Sequence, residues 1–119
     1  MSTSTVAYFC MEYGLHISMR LYSGGLGVLA GDYLKEASDS NTDMVAVGLL
    51  YRHGYFQQAL SINGDQINNY PLQEFTKLPI QPVKDADGEW IRISIELPGR
   101  QVWAKFWQLQ VGRITLYLL

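Results

Sequence analysis

The glycine-rich stretch at residues 22–32 (YSGGLGVLAGD) constrains this chain more than any other part of its sequence. It holds four glycines and leads directly into residues 33–37, which contain no helix breaker. A glycine-rich turn at a helix start can direct several backbone N–H groups at one point, where the helix dipole favours negative charge. We therefore expect a loop that binds an anion such as phosphate, or that lets a ligand contact bare backbone. A turn that only allows close helix packing is the alternative, and glycine motifs alone do not separate the two.

The segments around this loop predict a strand–helix–strand unit. Residues 6–10 (VAYFC) are continuously apolar, as expected for a strand covered on both faces, and residues 44–50 (MVAVGLL) predict a second buried strand. Between them, Ser23 is in a position to cap the helix. Such βαβ units form parallel sheets with binding sites at the carboxyl ends of the strands. The apolar stripe predicted for the helix consists of Leu26, Leu29, Ala30, Tyr33, Leu34 and Ala37.

The second half of the chain has the pattern of β-hairpins. Turn signals at Asn63-Gly64 and Pro98-Gly99 separate short segments with β-strand character. In residues 91–97 (IRISIEL) every second residue is apolar, which is the period of a half-buried strand. We predict an antiparallel β meander over residues 53–119, added to the edge of a βαβ unit at residues 1–52.

The last segment, residues 114–119 (ITLYLL), is a strongly apolar predicted strand without a polar cap or tail. Chain ends are usually polar and frayed, because they are rarely buried in a core. This pattern predicts that the 119 residues are a piece of a longer protein, truncated at its carboxyl end.

The charge and residue types exclude several classes of function. The net charge is −2, and no block of Lys or Arg offers a footprint for nucleic acid. Cys10 is the only cysteine, which fits a reducing compartment, and no segment has the length of a signal core or a membrane span. We therefore expect a soluble, cytoplasmic protein with no nucleic-acid or membrane partner. Cys10, His16 and His53 lack metal-ligand spacing, so no metal site is predicted.

A dinucleotide site is not predicted either. Gly25, Gly27 and Ala30 match the letters of the pattern G-x-G-x-x-A, but that pattern follows its strand at once. Here thirteen residues separate Cys10 from Gly24, and no acidic residue stands at the distance expected for ribose binding.

Side chains with catalytic chemistry are few. Glu12 follows the first predicted strand beside the loop and His16 lies in the irregular segment before it, so both are candidate cleft residues. A structural hydrogen bond for Glu12 and a surface or packing position for His16 are the alternatives, and His53 is predicted to be solvated in a turn. The many tyrosines and tryptophans can line a sugar site or pack in the core. No nucleophile–base pair is identified from spacing.

Several stretches taken together closely resemble the start of the bacterial short-form α-glucan phosphorylases, which act on glycogen, starch or maltodextrin. The resemblance covers nearly the whole chain, and the combination is far more specific than the glycine loop alone. The stretches are, in order, residues 8–16 (YFCMEYGLH), 22–32, 48–58 (GLLYRHGYFQQ), 98–100 (PGR), 110–113 (QVGR) and 116–119 (LYLL).

The resemblance implies an α/β fold that is part of the N-terminal Rossmann-like domain of a GT-B type glycosyltransferase. Enzymes of this family have two such domains with the active site between them. They cleave the terminal α-1,4-glucosyl unit of a glucan with inorganic phosphate and release α-glucose 1-phosphate. Their cofactor is pyridoxal 5′-phosphate, held as a Schiff base, and they are often homo-oligomers.

The resemblance also implies which residues face the substrate. The family's Gly-Gly-Leu-Gly loop approaches the phosphates and the glucosyl ring, and the matching positions here are Gly24, Gly25, Leu26 and Gly27. Backbone donors in such a loop can hold a dianion without a bulky side chain that would block the sugar. Three neighbours of this cleft are predicted, without a catalytic role: Glu12, Tyr13 and His16.

The departures from the family pattern concern the part of the active site that the family's C-terminal domain supplies. The Schiff-base lysine and the basic residues that clamp the phosphates belong to the family's C-terminal domain. None of the lysines in this chain matches them, so we expect no catalysis from the chain alone; they are Lys35, Lys77, Lys84 and Lys105.

Two alternatives stay open. A glycogen or starch synthase also has a Gly-Gly-Leu-Gly loop, although a lysine stands just before its glycines and Tyr22 and Ser23 stand here. A non-catalytic module that binds sugar or phosphate is the other alternative.

Overall fold

The computed structural model describes residues 4–119, which form a mixed α/β fold. Its helix α1 spans Gly25–Asp39, and a short 3-10 turn spans Phe75–Lys77. The strands are β1 (Val6–Phe9), β2 (Met44–Gly48), β3 (Gln57–Leu60), β4 (Gln66–Asn69), β5 (Ile80–Pro82), β6 (Arg92–Leu97), β7 (Arg100–Lys105), β8 (Trp107–Val111) and β9 (Ile114–Leu118).

The central sheet contains five strands in the order β1-β2-β9-β8-β5. β1 pairs in parallel with β2, with Val6 opposite Met44, and α1 forms the connection between them. The predicted strand–helix–strand order and its parallel pairing are therefore confirmed. β9 also pairs in parallel with β2, with Val45 opposite Thr115, so the carboxyl ends of three strands meet at one edge of the sheet.

The predicted antiparallel meander is wrong in its connectivity. β9 lies beside β2 in parallel, and only β8 and β5 extend the sheet in the antiparallel sense. Within residues 4–119, β6 and β7 pair with each other and not with the sheet, and β3 and β4 form a second separate hairpin. Alternation of apolar residues identifies a strand, but the partner of that strand depends on the path of the whole chain.

The buried face of α1 differs from the predicted apolar stripe. Leu26, Leu29 and Tyr33 of that stripe are exposed. The helix is rotated because its smallest residues pack closely against the segment before it: the Gly14 N–H donates to the Gly27 carbonyl oxygen at 2.7 Å. The residues that the helix buries are Gly27, Ala30, Gly31, Leu34, Ala37 and Ser38.

Two strands that were expected to be covered are open on at least one face. β1 was predicted to be buried on both faces, but it is an edge strand, and Phe9 is 71% exposed. Only its Tyr8 side packs on the helix, where the Tyr8 ring meets the Tyr33 ring edge-on at 5.0 Å. Likewise β6, predicted to be half-buried, is exposed at every residue because no other described element covers its hairpin.

The core lies between α1, the irregular segment before it and the covered face of the sheet. Its fully buried members include Leu34 of α1, Leu21 of the irregular segment, and Leu116 of β9. Within residues 4–119, no helix has both the length and the apolar character needed to cross a lipid bilayer.

Replacing Gly31 with alanine is expected to destabilise the protein by about 1–3 kcal/mol. The new β-carbon would overlap the Gly14 carbonyl oxygen, a backbone atom that cannot rotate away. The gain of about 1 kcal/mol in helix propensity does not offset this overlap. The measurement is the midpoint of thermal unfolding, with Gly25→Ala as the matched control because no non-neighbouring heavy atom lies within 4 Å of a β-carbon there. Equal midpoints for the two variants would contradict the packing role of Gly31.

Candidate functional site

The start of α1 leaves the first two glycines of the loop bare. Gly24 is the N-cap residue, with an extended backbone (φ −170°), and no side chain caps the helix. Both Gly24 and Gly25 are exposed, and a β-carbon at either would have no non-neighbouring heavy atom within 4 Å. The cap predicted for Ser23 is wrong, because its hydroxyl donates instead to the Glu12 carboxylate at 3.3 Å. The helix therefore begins with free backbone donors at an open surface.

The other two glycines of the loop are packing residues. A β-carbon at Gly27 would overlap the Tyr22 side chain, and one at Gly31 would overlap the Gly14 backbone. Both glycines are buried. The two alternatives for the loop, ligand contact and close packing, thus fall on different glycines: Gly24 and Gly25 are open to a ligand, whereas Gly27 and Gly31 set the helix against its neighbours.

A cleft of about 250 Å³ lies directly beside this loop. Its floor is formed at the carboxyl ends of β1 and β2, where Glu12 and Tyr51 each follow their strand by three residues. This is the edge at which parallel sheets place their binding sites. We call it the tyrosine cleft; the residues that line it are Glu12, Arg20, Leu21, Tyr22, Ser23, Tyr51, His53, Gly54, Tyr55 and Tyr70.

The three predicted neighbours of the cleft lie in three different environments. Glu12 lies in it, whereas His16 is outside it in an exposed turn, where its Nδ1 lies 2.8 Å from the Ser18 hydroxyl. Tyr13 is a core residue whose hydroxyl contacts the carbonyl oxygens of Tyr8 and Val47 at 3.2 and 2.9 Å. Burial, followed by the neighbouring Cys10, raises the pKa of the Tyr13 phenol, so Tyr13 stays a neutral structural donor.

His53 and Arg20 are cleft residues that the sequence patterns did not identify. His53 is exposed, as predicted, and it also lines the cleft. Its position five residues after β2 is a signal for this second role, because loops at that edge of a sheet carry ligand contacts. No pattern in the sequence identifies Arg20 as a cleft residue. Its stem packs so closely on Gly54 that a β-carbon there would lie 2.6 Å from Arg20 Cδ.

Gln73 joins the three segments that build the cleft. It is 8% exposed, and its amide oxygen accepts from the Arg20 N–H at 2.9 Å. Its amide nitrogen donates to the carbonyl oxygens of Arg20 and Tyr51, and its own N–H donates to the Arg52 carbonyl oxygen at 2.8 Å. Because every polar group of this buried side chain is bonded, it holds the segment before the glycine loop, the loop after β2 and the segment around Gln73 in one arrangement.

Tyr51 is a hydrogen-bonding group in the wall of the cleft. The Tyr51 hydroxyl donates to the Met11 carbonyl oxygen at 3.0 Å. Burial, and then the charge of Glu12, raise the pKa of the Tyr51 phenol, so it keeps its proton at neutral pH. Residues 4–119 contain no group of three or more His, Cys, Asp or Glu side chains that could hold a metal ion. The arrangement is suited to binding a polar ligand through hydrogen bonds and aromatic faces, not to nucleophilic catalysis by its own side chains.

No known protein-family model matches the chain. It is 45% identical over 114 residues to the maltodextrin phosphorylase of Thermococcus litoralis, a match that covers 96% of the chain and 14% of that protein. It is 44% identical to the glycogen phosphorylase of Mycobacterium tuberculosis, over 96% of the chain and 13% of that protein. The glycogen phosphorylase of Aquifex aeolicus is 35% identical, over 96% of the chain and 16% of that protein.

These matches confirm the resemblance to the α-glucan phosphorylases. The chain is similar to glycogen and maltodextrin phosphorylases over nearly its whole length, and it spans about one seventh of the length of these relatives. It therefore corresponds to a fragment of such proteins.

Replacing Gln73 with methionine is expected to destabilise the protein by about 1–3 kcal/mol, because the Arg20 N–H and the Tyr51 carbonyl oxygen lose their partner. Methionine keeps the length of the side chain, so the loss reports on hydrogen bonds more than on volume. The matched control is Gln101→Met, a glutamine exposed on β7, for which the expected change is within about 0.5 kcal/mol. Thermal unfolding compares the two, and equal midpoints would show that Gln73 does not hold the cleft together.

Proposed function

We propose that this chain is the N-terminal part of an α-glucan phosphorylase, which releases α-glucose 1-phosphate from a terminal α-1,4-glucosyl unit with inorganic phosphate. The identity of 35–45% to maltodextrin and glycogen phosphorylases supports this assignment. The parallel strands β1, β2 and β9, with α1 on one face, are consistent with part of a Rossmann-like domain of the GT-B type. In this proposal, residues 1–52 form the βαβ unit and residues 53–119 belong to the same partial domain.

The observation that carries the proposal is the open backbone at Gly24 and Gly25. The first N–H groups of a helix have no partner within it, and the helix dipole favours an anion beside them. With no β-carbon at either position and empty space around both, a phosphate and a glucosyl ring can approach these donors directly. In this proposal Gly27 supports the site through close packing, which fixes the start of the helix. Leu26 belongs to the site through its position within the loop.

The chain by itself does not fit pyridoxal phosphate. A Schiff base to this cofactor needs a lysine at the site, and none of the four lysines lines the tyrosine cleft. Lys77 pairs with Glu74 at 2.7 Å, and Lys105 lies 4.5 Å from the centroid of the Trp90 ring. In our proposal the cofactor lysine and the phosphate-clamping residues come from the rest of a longer cytoplasmic enzyme, and this chain alone is inactive.

The complete protein that contains this chain tests the function directly. With maltodextrin and inorganic phosphate, it is expected to release glucose 1-phosphate. Transfer of glucose from a nucleotide sugar, without phosphorolysis, would instead identify a synthase. Binding of glucan with neither activity would identify a sugar-binding module.

In the complete enzyme, Gly25→Val is expected to lower kcat/KM at least tenfold, about 1.4 kcal/mol, while leaving stability nearly unchanged. The branched side chain has room in the fold, so its effect falls on the approach of the ligand. The control is Leu29→Val, which introduces the same side chain one turn along α1 at an exposed position beyond the Gly-Gly-Leu-Gly residues 24–27. Full activity of Gly25→Val would show that these glycines do not contact the substrate.

A further inference from the structure

A second pocket, of about 500 Å³, lies at the open end of the β6–β7 hairpin. It shares no lining residue with the tyrosine cleft. Its volume falls within the range of roughly 300–1,000 Å³ that is usual for small-molecule sites. We call it the hairpin pocket; the residues that line it are Asp85, Glu89, Trp90, Ile91, Arg92 and Lys105.

We propose that the hairpin pocket binds a small phosphate ester that also carries hydroxyl groups, that is, a sugar phosphate. This site is separate from the glycine loop and the tyrosine cleft. The proposal goes beyond the proposed function and does not rest on it, because it concerns a different set of residues and is tested by binding alone.

Two cationic side chains lie next to each other in the hairpin pocket. Arg92 of β6 and Lys105 of β7 are directly opposite in the antiparallel register, where like charges repel. Within residues 4–119 neither forms an ion pair with a carboxylate. Each lies over a tryptophan ring instead, with Arg92 Cζ 5.2 Å from the Trp103 centroid and Lys105 Nζ 4.5 Å from the Trp90 centroid. A bound phosphate ester relieves this repulsion, because it brings up to about two negative charges at neutral pH.

The carboxylates of the hairpin pocket restrict what kind of anion it takes. Asp85 and Glu89 also line it, and they repel a bare anion. Asp85 Oδ1 accepts from the N–H groups of Asp87 and Glu89, both at 2.9 Å, which fixes this carboxylate in a turn. Ionised carboxylates accept hydrogen bonds from hydroxyl groups. A ligand with both a phosphate and hydroxyls satisfies the cations and the carboxylates together, whereas a ligand ammonium would meet Lys105, which already lies over the Trp90 ring.

The base of the hairpin pocket is already formed. The Ile91 N–H donates to the Val83 carbonyl oxygen at 2.9 Å, and the Phe106 N–H donates to the Ile91 carbonyl oxygen at 3.2 Å. Trp90 Nε1 donates to the Phe106 carbonyl oxygen at 2.7 Å, and its ring meets the Trp107 ring edge-on at 4.9 Å. A site that is fixed before the ligand binds loses less free energy on ordering.

The hairpin pocket lies on the polar face of its hairpin. Side chains alternate along a strand, so Arg92 and Lys105 lie on the face opposite to Ile93 and its partner Ala104. Polypeptide that covers the apolar face of the hairpin therefore leaves the pocket open.

The test measures the binding of ribose 5-phosphate to the complete protein by isothermal titration calorimetry. This probe has a phosphate monoester and hydroxyls but no glucosyl unit. Arg92→Gln and Lys105→Gln are each expected to raise Kd at least tenfold, because each removes a charge-assisted contact to phosphate. The matched control is Lys35→Gln, the same change at an exposed position of α1 outside the pocket, for which Kd is expected to stay within about twofold. Thermal unfolding verifies that the variants remain folded.

Glu89→Ala tests the hydroxyl contacts separately. The wild type is expected to bind ribose 5-phosphate more tightly than either inorganic phosphate or ribose. Loss of the Glu89 carboxylate is expected to narrow the difference between ribose 5-phosphate and inorganic phosphate, because only the sugar loses an acceptor.

Four results would overturn the proposal. They are no binding of ribose 5-phosphate to the wild type at millimolar concentration, binding that Arg92→Gln and Lys105→Gln leave unchanged, equal affinity for inorganic phosphate, and tighter binding of free serine, which would identify a site for a zwitterion. None of these results depends on phosphorolysis. The proposed function is tested separately by the release of glucose 1-phosphate.

Discussion

The close backbone contact between Gly14 and α1 is the constraint on which the candidate site depends. The Gly14 N–H donates to the Gly27 carbonyl oxygen at 2.7 Å, and the absence of a side chain at Gly31 lets the two backbones meet. Gly14 follows the carboxyl end of β1, so this contact ties the end of that strand to the first turn of the helix. As a result, Gly24 and Gly25 open at the same edge of the sheet as Glu12.

A second constraint, the hydrogen-bond network of Gln73, determines the shape of the neighbouring cleft. The segments that it joins are far apart in the sequence, since Arg20 lies 53 residues and Tyr51 lies 22 residues from it. Buried amides of this kind specify one arrangement because each unpaired polar group would cost free energy. The glycine contact and the Gln73 network together place a bare helix start beside a cleft lined by aromatic and polar side chains.

The outer surfaces of the fold carry large apolar side chains that this chain does not cover. Phe9 is exposed on the open face of the sheet, Leu29 on α1 and Ile95 on the β6–β7 hairpin. Exposed apolar patches usually mark surfaces that contact other polypeptide. The matched relatives are about seven times longer than this chain. Under the proposed function, these surfaces contact the remainder of the enzyme.

The sequence by itself determined the local elements and the family. Continuous apolar runs predicted β1 and β2, the glycine-rich turn predicted the start of α1, and a combination of short motifs identified the phosphorylases. Those signals are local, because the period of a strand or helix and the residues of a motif lie within a short segment of the chain. The tertiary structure decided the parallel position of β9, the rotation of α1, and which glycines are open or packed. It also decided that Arg20, His53 and Gln73 share one site, because such contacts join residues whose separation along the chain leaves no periodic signal.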